Sequence, residues 1–265
     1  MSDKGPGDSG ESDRRQLGEE ILKRLRGAHR LNVEEFVSSY VSVTTGSPFR
    51  VLVATVLSQN STDRAAMRAY IELERRIGVV AERLSRVDVR RIARAIRVAG
   101  LSEQKARTIK RLASLALKLE DPELRGLLTK GPEAARETLL EVKGIGPKTV
   151  DVLLASTGTL DTVPVDTHVR RVSERLGLVG GGARYEEVRS ALEEVFPEGS
   201  RYEAHLLLIA HGRSVCRSRR TLCEVCALSD FCNFYNFKYR RKIQLCEGLP
   251  QRKAAESRKS RNRAR

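Results

Sequence analysis

Apolar residues recur three and four positions apart along most of this chain, with few of the alternating β-branched runs that mark strands, so the pattern predicts a helical protein. Ser47 and Pro48 read as an N-cap and first helical position, with Phe49, Leu52, Val53 and Val56 on one face behind them. Asp88 opens a stretch whose stripe is Val89, Ile92 and Ile96, and Gly100 closes it. Ser102 is the expected cap of the next helix, with Ile109, Leu112, Leu115 and Leu119 as its stripe. Gly131 and Pro132 open a short helix ending near Glu141, and Pro147 opens one carrying Val150, Leu153 and Leu154 before Gly158. Asp166 then stands just ahead of Val169, Val172 and Leu176, with Gly177 as the stop. No internal period of about 20 to 50 residues is present, which sets solenoids aside. The expected class is all-α.

Both ends depart from this pattern. Met1 to Asp13 hold no large apolar residue after Met1, so residues 1–14 are expected to form a disordered acidic tail. At the far end Gln251 to Arg265 carry seven Lys or Arg against Glu256 alone, within a basic extension expected over 236–265. Apolar runs such as Val51 to Leu57 fall far below the roughly 18 residues that span a membrane, and the N-terminus carries no apolar signal segment. A soluble, intracellular monomer is expected, with no membrane partner.

Charge then narrows the partners. Lys plus Arg number 49 against 34 Asp plus Glu in 265 residues, a formal charge of +15. Such an excess suits a polyanion, because each cation that neutralises a phosphate releases a counterion. The 31% of charged residues would equally suit the surface of a thermophile's protein.

The segment Leu140-Glu141-Val142-Lys143-Gly144-Ile145-Gly146-Pro147-Lys148-Thr149 gives the charge a place. It joins two helices through a short turn with glycines at alternate positions, which is the helix-hairpin-helix signature. Glycine admits close backbone approach, and a helix N-terminus offers N–H groups to a phosphate oxygen. Lys143, Gly144, Gly146 and Thr149 are the candidate DNA contacts here. On its own this motif speaks of binding and not of chemistry.

Two further features add chemistry. Eighteen residues beyond Lys148, Val163-Pro164-Val165-Asp166-Thr167-His168-Val169-Arg170-Arg171 supplies a carboxylate at a helix N-cap. Cys216, Cys223, Cys226 and Cys232 are separated by six, two and five residues. Four thiolates satisfy either a tetrahedral zinc or an iron–sulfur cluster, and their number leaves both open. Arg217, Arg219 and Arg220 crowd the first interval as phosphate contacts. Cys246 falls outside the pattern and reads as a lone thiol.

These pieces resemble the endonuclease III family of helix-hairpin-helix DNA glycosylases/AP lyases, over about Ile21 to Cys232. The resemblance implies that Lys148 attacks the sugar and that Asp166 stabilises the positive charge developing on it. It assigns the four cysteines to one 4Fe-4S cluster, and the preceding His211-Gly212-Arg213 matches the same family. It implies two helical domains with damaged double-stranded DNA in the cleft between them. One, a six-helix domain containing the hairpin, spans 47–164; the other is a discontinuous cluster domain of 15–46 and 165–235. The run Leu57 to Asp63 resembles the family's loop whose polar residue fills the gap left by a flipped nucleotide. The family's glutamine position falls on Asn60, and Gln59 lies one residue earlier, so both are candidates. Lys143 and Pro147 stand where bacterial relatives commonly have proline and arginine. His168 is expected to orient Asp166 or the DNA, and His205 to be a plain helix residue.

The activity the resemblance implies is removal of damaged, oxidised pyrimidines from duplex DNA, followed by nicking of the abasic site by β-elimination through a lysine Schiff base. A mismatch uracil/thymine glycosylase, an oxidised-purine glycosylase and a non-catalytic hairpin protein remain as alternatives at this point.

Overall fold

In the computed structural model, which describes residues 8–240, every regular element is helical and no strand occurs among the described residues. The chain runs α1 (Asp8–Ala28), α2 (Val37–Thr45), α3 (Pro48–Ser58), α4 (Asp63–Arg76), α5 (Ala81–Arg86), α6 (Val89–Ala95) and α7 (Ser102–Lys118). It continues through α8 (Arg125–Thr129), α9 (Pro132–Leu140), α10 (Pro147–Ser156), α11 (Thr167–Leu176), α12 (Tyr185–Val195) and α13 (Arg201–Ser214). The basic 251–265 segment and Cys246 lie outside the described residues.

Buried apolar side chains form two clusters. The first joins α2 to α10 around Phe49, Leu52, Leu73, Ile92, Ile109, Leu112 and Leu153. The second joins α1 to α11, α12 and α13 around Ile21, Leu25, Val169, Val172, Leu192, Phe196 and Leu208. They part between Phe36 and Val37, earlier than the expected boundary at 46/47. The reason lies in α2, whose small Ser38 meets Thr55 of α3 at 2.9 Å, hydroxyl to hydroxyl, and lets the two helices pack closely.

The caps explain where most helices begin. Ser47 Oγ accepts from the Arg50 N–H at 3.2 Å with Pro48 in the first turn, and Asp88 Oδ1 accepts from the Arg90 N–H at 2.7 Å. Ser102 does not cap α7. Leu101, at φ 47°, holds that position, because Gly100 and Leu101 alone link the turn 97–99 to α7 and both take positive φ to reverse the chain. Residues 47–164 contain eight α-helical segments rather than six, the short α5 and α8 among them.

Residues 8–14, expected within a disordered tail, instead belong to α1. Further along, Arg14 pairs with Glu194 of α12 at 3.1 Å.

Candidate active site

The N-termini of α10 and α11 open onto one cavity of about 630 Å³. Lys148, in the first turn of α10, and Asp166, the N-cap of α11, both line it. So do Gln59, Asn60 and His168, together with Asp63, Tyr202, His205 and Arg213. Its walls therefore come from helices of both apolar clusters. Lys143, Gly144, Gly146, Thr149, Arg217, Arg219 and Arg220 do not line it.

Asp166 is held by its own helix. Its Oδ1 accepts from the N–H groups of His168 and Val169 at 2.8 and 2.7 Å. Burial pushes the carboxyl upward, but the neighbouring His205 imidazole, the Val169 N–H and the Lys148 ammonium together outweigh it and hold it below the usual range. The site thus keeps an ionised carboxylate at neutral pH. His168 Nδ1 lies 3.0 Å from Arg171 Nη2, which can only donate, so the imidazole proton sits on Nε2. Arg171 also donates to the carbonyls of Gly212 and Cys216, at 2.8 and 3.0 Å, and so joins the cavity wall to the cysteine loop. Gly212 is needed for that approach, since a Cβ there would come within 2.9 Å of His168 Cβ.

His205 is more than a helix residue. It is 3% exposed, and its Nδ1 donates to the Pro164 carbonyl at 2.6 Å, anchoring the strand of chain that leads into Asp166. Burial pushes its pKa down to about 4. An unfolded imidazole binds its proton near 6.5 and this one only near 4, so the folded state loses stability as pH falls through that interval. By pH 5 the loss is expected to reach about 2 kcal/mol from this group. Urea unfolding at pH 7 and pH 5 measures it, and His205→Gln should shrink the difference; an unchanged difference would assign the pH dependence elsewhere.

Sequence reasoning missed Tyr202 and His205, although a signal was present. Tyr202, His205, Leu206, Ile209 and Arg213 all line the cavity and fall at helical spacing along α13, so polar residues interrupt an otherwise apolar stripe. Arg213 pairs with Asp63 across the cavity mouth, and Tyr202 meets Ser39 of α2 at 2.6 Å, hydroxyl to hydroxyl.

The hairpin separates the roles of its two glycines. Gly144 has φ 105°, and a Cβ there would lie 2.1 Å from Thr108 Oγ1, so the fold itself requires glycine. Gly146 is extended at φ −119°, and a Cβ there would meet nothing within 4 Å. Thr149 departs from its expected place as a DNA contact. It is 3% exposed, and its hydroxyl accepts from Gln59 Nε2 at 3.1 Å. Gln59 donates to the Gly144 carbonyl as well, at 3.2 Å, which fastens its side chain to the hairpin. Asn60 is exposed and sits at φ 49°. Buried Lys105 steadies this loop from below, donating to the carbonyls of Leu57 and Ala99 at 2.8 Å each.

Cys216, Cys223, Cys226 and Cys232 line one small pocket among Val172, Leu176 and Phe234. None is in a disulfide. Among the described residues no three His, Cys, Asp or Glu side chains converge as the ligands of one ion. Arg175 Nη1 donates to Cys216 Sγ at 3.3 Å, and burial pushes the Cys226 thiol up to about 11. A cation among the sulfurs would reverse that shift. Arg217, Arg219 and Arg220 stand exposed on the loop beside the pocket.

Residues 53–198 match the profile of the HhH-GPD superfamily base excision DNA repair proteins. Endonuclease III of Sulfolobus acidocaldarius is 36% identical over 220 residues, which cover 83% of this chain and 96% of that protein. Endonuclease III of Escherichia coli is 30% identical over 215 residues, covering 81% and 94%. A solved non-covalent endonuclease III–DNA complex superposes with a TM-score of 0.71 at 25% identity, over 87% of this chain and 98% of that one. A thermostable thymine-DNA glycosylase shares the fold with a TM-score of 0.67 at 20% identity, over 86% of this chain and 99% of that one.

Proposed function

The chain belongs to the HhH-GPD superfamily of base excision DNA repair proteins, and from that premise we propose a bifunctional DNA glycosylase/AP lyase that removes oxidised pyrimidines from duplex DNA. The observation that carries the reading is the shared cavity, with an amine and an ionised carboxylate at two facing helix N-termini. Its volume of about 630 Å³ suits one everted nucleotide.

Lys148 attacks C1′ of the sugar as the bond from C1′ to the base breaks, and the base leaves with a proton. Positive charge builds on the sugar during that step, and Asp166 opposes it from a fixed position with little reorganisation. Loss of the amine proton and opening of the ring leave an iminium joining Lys148 to the sugar. That group acidifies C2′; once its proton departs, the C3′–O bond breaks and the 3′ phosphate leaves. The two apolar clusters serve as two domains, with DNA lying across the mouth of the cavity between them.

The hairpin holds the backbone. Lys143 is exposed, and the N–H groups of Gly144 and Gly146 bond to no main-chain carbonyl among the described residues, so they are free to meet a phosphate. The open space around Gly146 supports close approach of a ligand there. With Gln59 fastened to the hairpin, Asn60 is the residue that fills the gap behind the everted base. Arg217, Arg219 and Arg220 contact a neighbouring stretch of backbone.

The four cysteines line one pocket and, by the resemblance to endonuclease III, would hold one 4Fe-4S cluster. Bound there, the cluster would cross-link the loop 216–232 and hold its arginines in place. No step of the reaction passes through it.

A panel of duplexes carrying thymine glycol, dihydrouracil, mismatched uracil or 8-oxoguanine tests the substrate class. Excision of the first two with strand nicking is expected. Activity confined to the last two would overturn the oxidised-pyrimidine assignment and leave the glycosylase standing.

A further inference from the structure

A buried carboxylate that the reaction does not use lies one helical turn beyond Lys148. Asp151 of α10 is 0% exposed. Arg136 of α9 pairs with its Oδ1 at 2.7 Å, and the Tyr185 hydroxyl of α12 donates to Oδ2 at 2.7 Å, with Arg189 Nε 3.8 Å away. Tyr185 and Arg189 belong to the helix α12 of the second apolar cluster, whereas Asp151 and Arg136 belong to helices of the first. The contact is therefore a polar bridge between the two halves of the molecule.

The bridge continues to the other catalytic candidate. While its hydroxyl donates to Asp151, the Tyr185 oxygen accepts from the Val165 N–H at 3.4 Å, and Val165 is the residue before Asp166. Burial and the adjacent Asp151 charge hold the phenol far above its ordinary range, so it stays protonated and keeps this orientation. One path of short contacts thus runs from the helix bearing Lys148, through Asp151 and Tyr185, to the backbone bearing Asp166. His205 grips the same segment from another side through the Pro164 carbonyl.

Stability alone is a poor reason for such an array. Buried ion pairs are expensive to desolvate, and apolar side chains of equal volume often stabilise a core as well or better. What an apolar pair lacks is direction: it would let the two halves slide, whereas hydrogen bonds fix their separation. We propose that Asp151 and Tyr185 are positioning residues that set the distance between Lys148 and Asp166 across the two halves of the molecule. This rests on the assignment of Lys148 and Asp166 above.

Tyr185→Phe in the full-length protein removes one oxygen and leaves the ring. Single-turnover excision from a thymine glycol duplex should fall about 10- to 100-fold, as misplacement of catalytic groups by an ångström does. Affinity for a duplex carrying a tetrahydrofuran abasic analogue should stay within about twofold, because no DNA contact is touched. Asp151→Asn keeps an acceptor for the phenol and should retain most of the rate, and adding it to Tyr185→Phe should cost little more, since both act through one path. Asp151→Ser, which shortens the bridge with Tyr185 in place, is the second variant and should behave as Tyr185→Phe does. An excision rate within about twofold of wild type in both Tyr185→Phe and Asp151→Ser overturns the proposal. So does a loss of affinity in proportion to the loss of rate, which marks a merely structural role. Failure of the underlying assignment shows separately, as full excision by Asp166→Asn.

Discussion

Lys148→Ala abolishes both the borohydride-trapped adduct with abasic DNA and strand nicking, a loss expected to exceed about 1,000-fold. Only an amine that attacks the sugar and stays bonded can be trapped by reduction, so the measurement reports the chemistry and not the binding. The fold should survive the change. Lys148 is half-buried, forms no ion pair among the described residues, and lies in the first turn of α10, where alanine is a good helix former. Tyr202 and His205, which line the cavity from α13, do not depend on the lysine. An adduct undiminished in the variant would mean that another amine performs the attack. Loss of the adduct with duplex affinity kept within a few fold separates the enzyme from a hairpin protein that only binds.

What the chain disclosed before its structure was known follows the range of the interactions involved. Caps and stops depend on neighbours a few residues away, and Ser47, Asp88, Gly131, Pro147 and Asp166 all begin helices where the pattern puts them. Where a linker is too short, the local rule fails, and Leu101 displaces Ser102. The hairpin and the spacing from Lys148 to Asp166 also lie within a short stretch of chain, and the family resemblance they carry is what named these two groups of the cavity. His205 could not, because its meaning comes from the Pro164 carbonyl, far away in the chain. The choice between Gln59 and Asn60 had the same difficulty. Gln59 is fastened by Gly144 and Thr149, and nothing near residue 59 reveals that partner. Thr149, adjacent to the lysine and a candidate DNA contact by sequence, is buried as part of that fastening. The Asp151–Tyr185 bridge joins residues of opposite halves, and no periodicity announces it.

Asp166→Asn divides the two jobs that this carboxylate holds. Asparagine caps a helix as well as aspartate, and its Oδ1 can accept from the His168 and Val169 N–H groups as the native Oδ1 does, so melting should change little. What the amide cannot supply is negative charge. If that charge opposes the cation developing on the sugar, base excision falls by about 100- to 1,000-fold, the loss seen when one preorganised electrostatic group is removed from a transition state. A preformed abasic site has no glycosidic bond left to break, so borohydride trapping through Lys148 should be far less affected. The two assays therefore move apart in Asp166→Asn and together in Lys148→Ala. Excision within about threefold of wild type in the asparagine variant would reduce Asp166 to a helix cap. Acidification offers a parallel check on the wild type. The carboxyl lies below its usual range despite burial, so the glycosylase step should keep its charge-dependent rate down to mildly acidic pH and lose it only as that depressed pKa is approached.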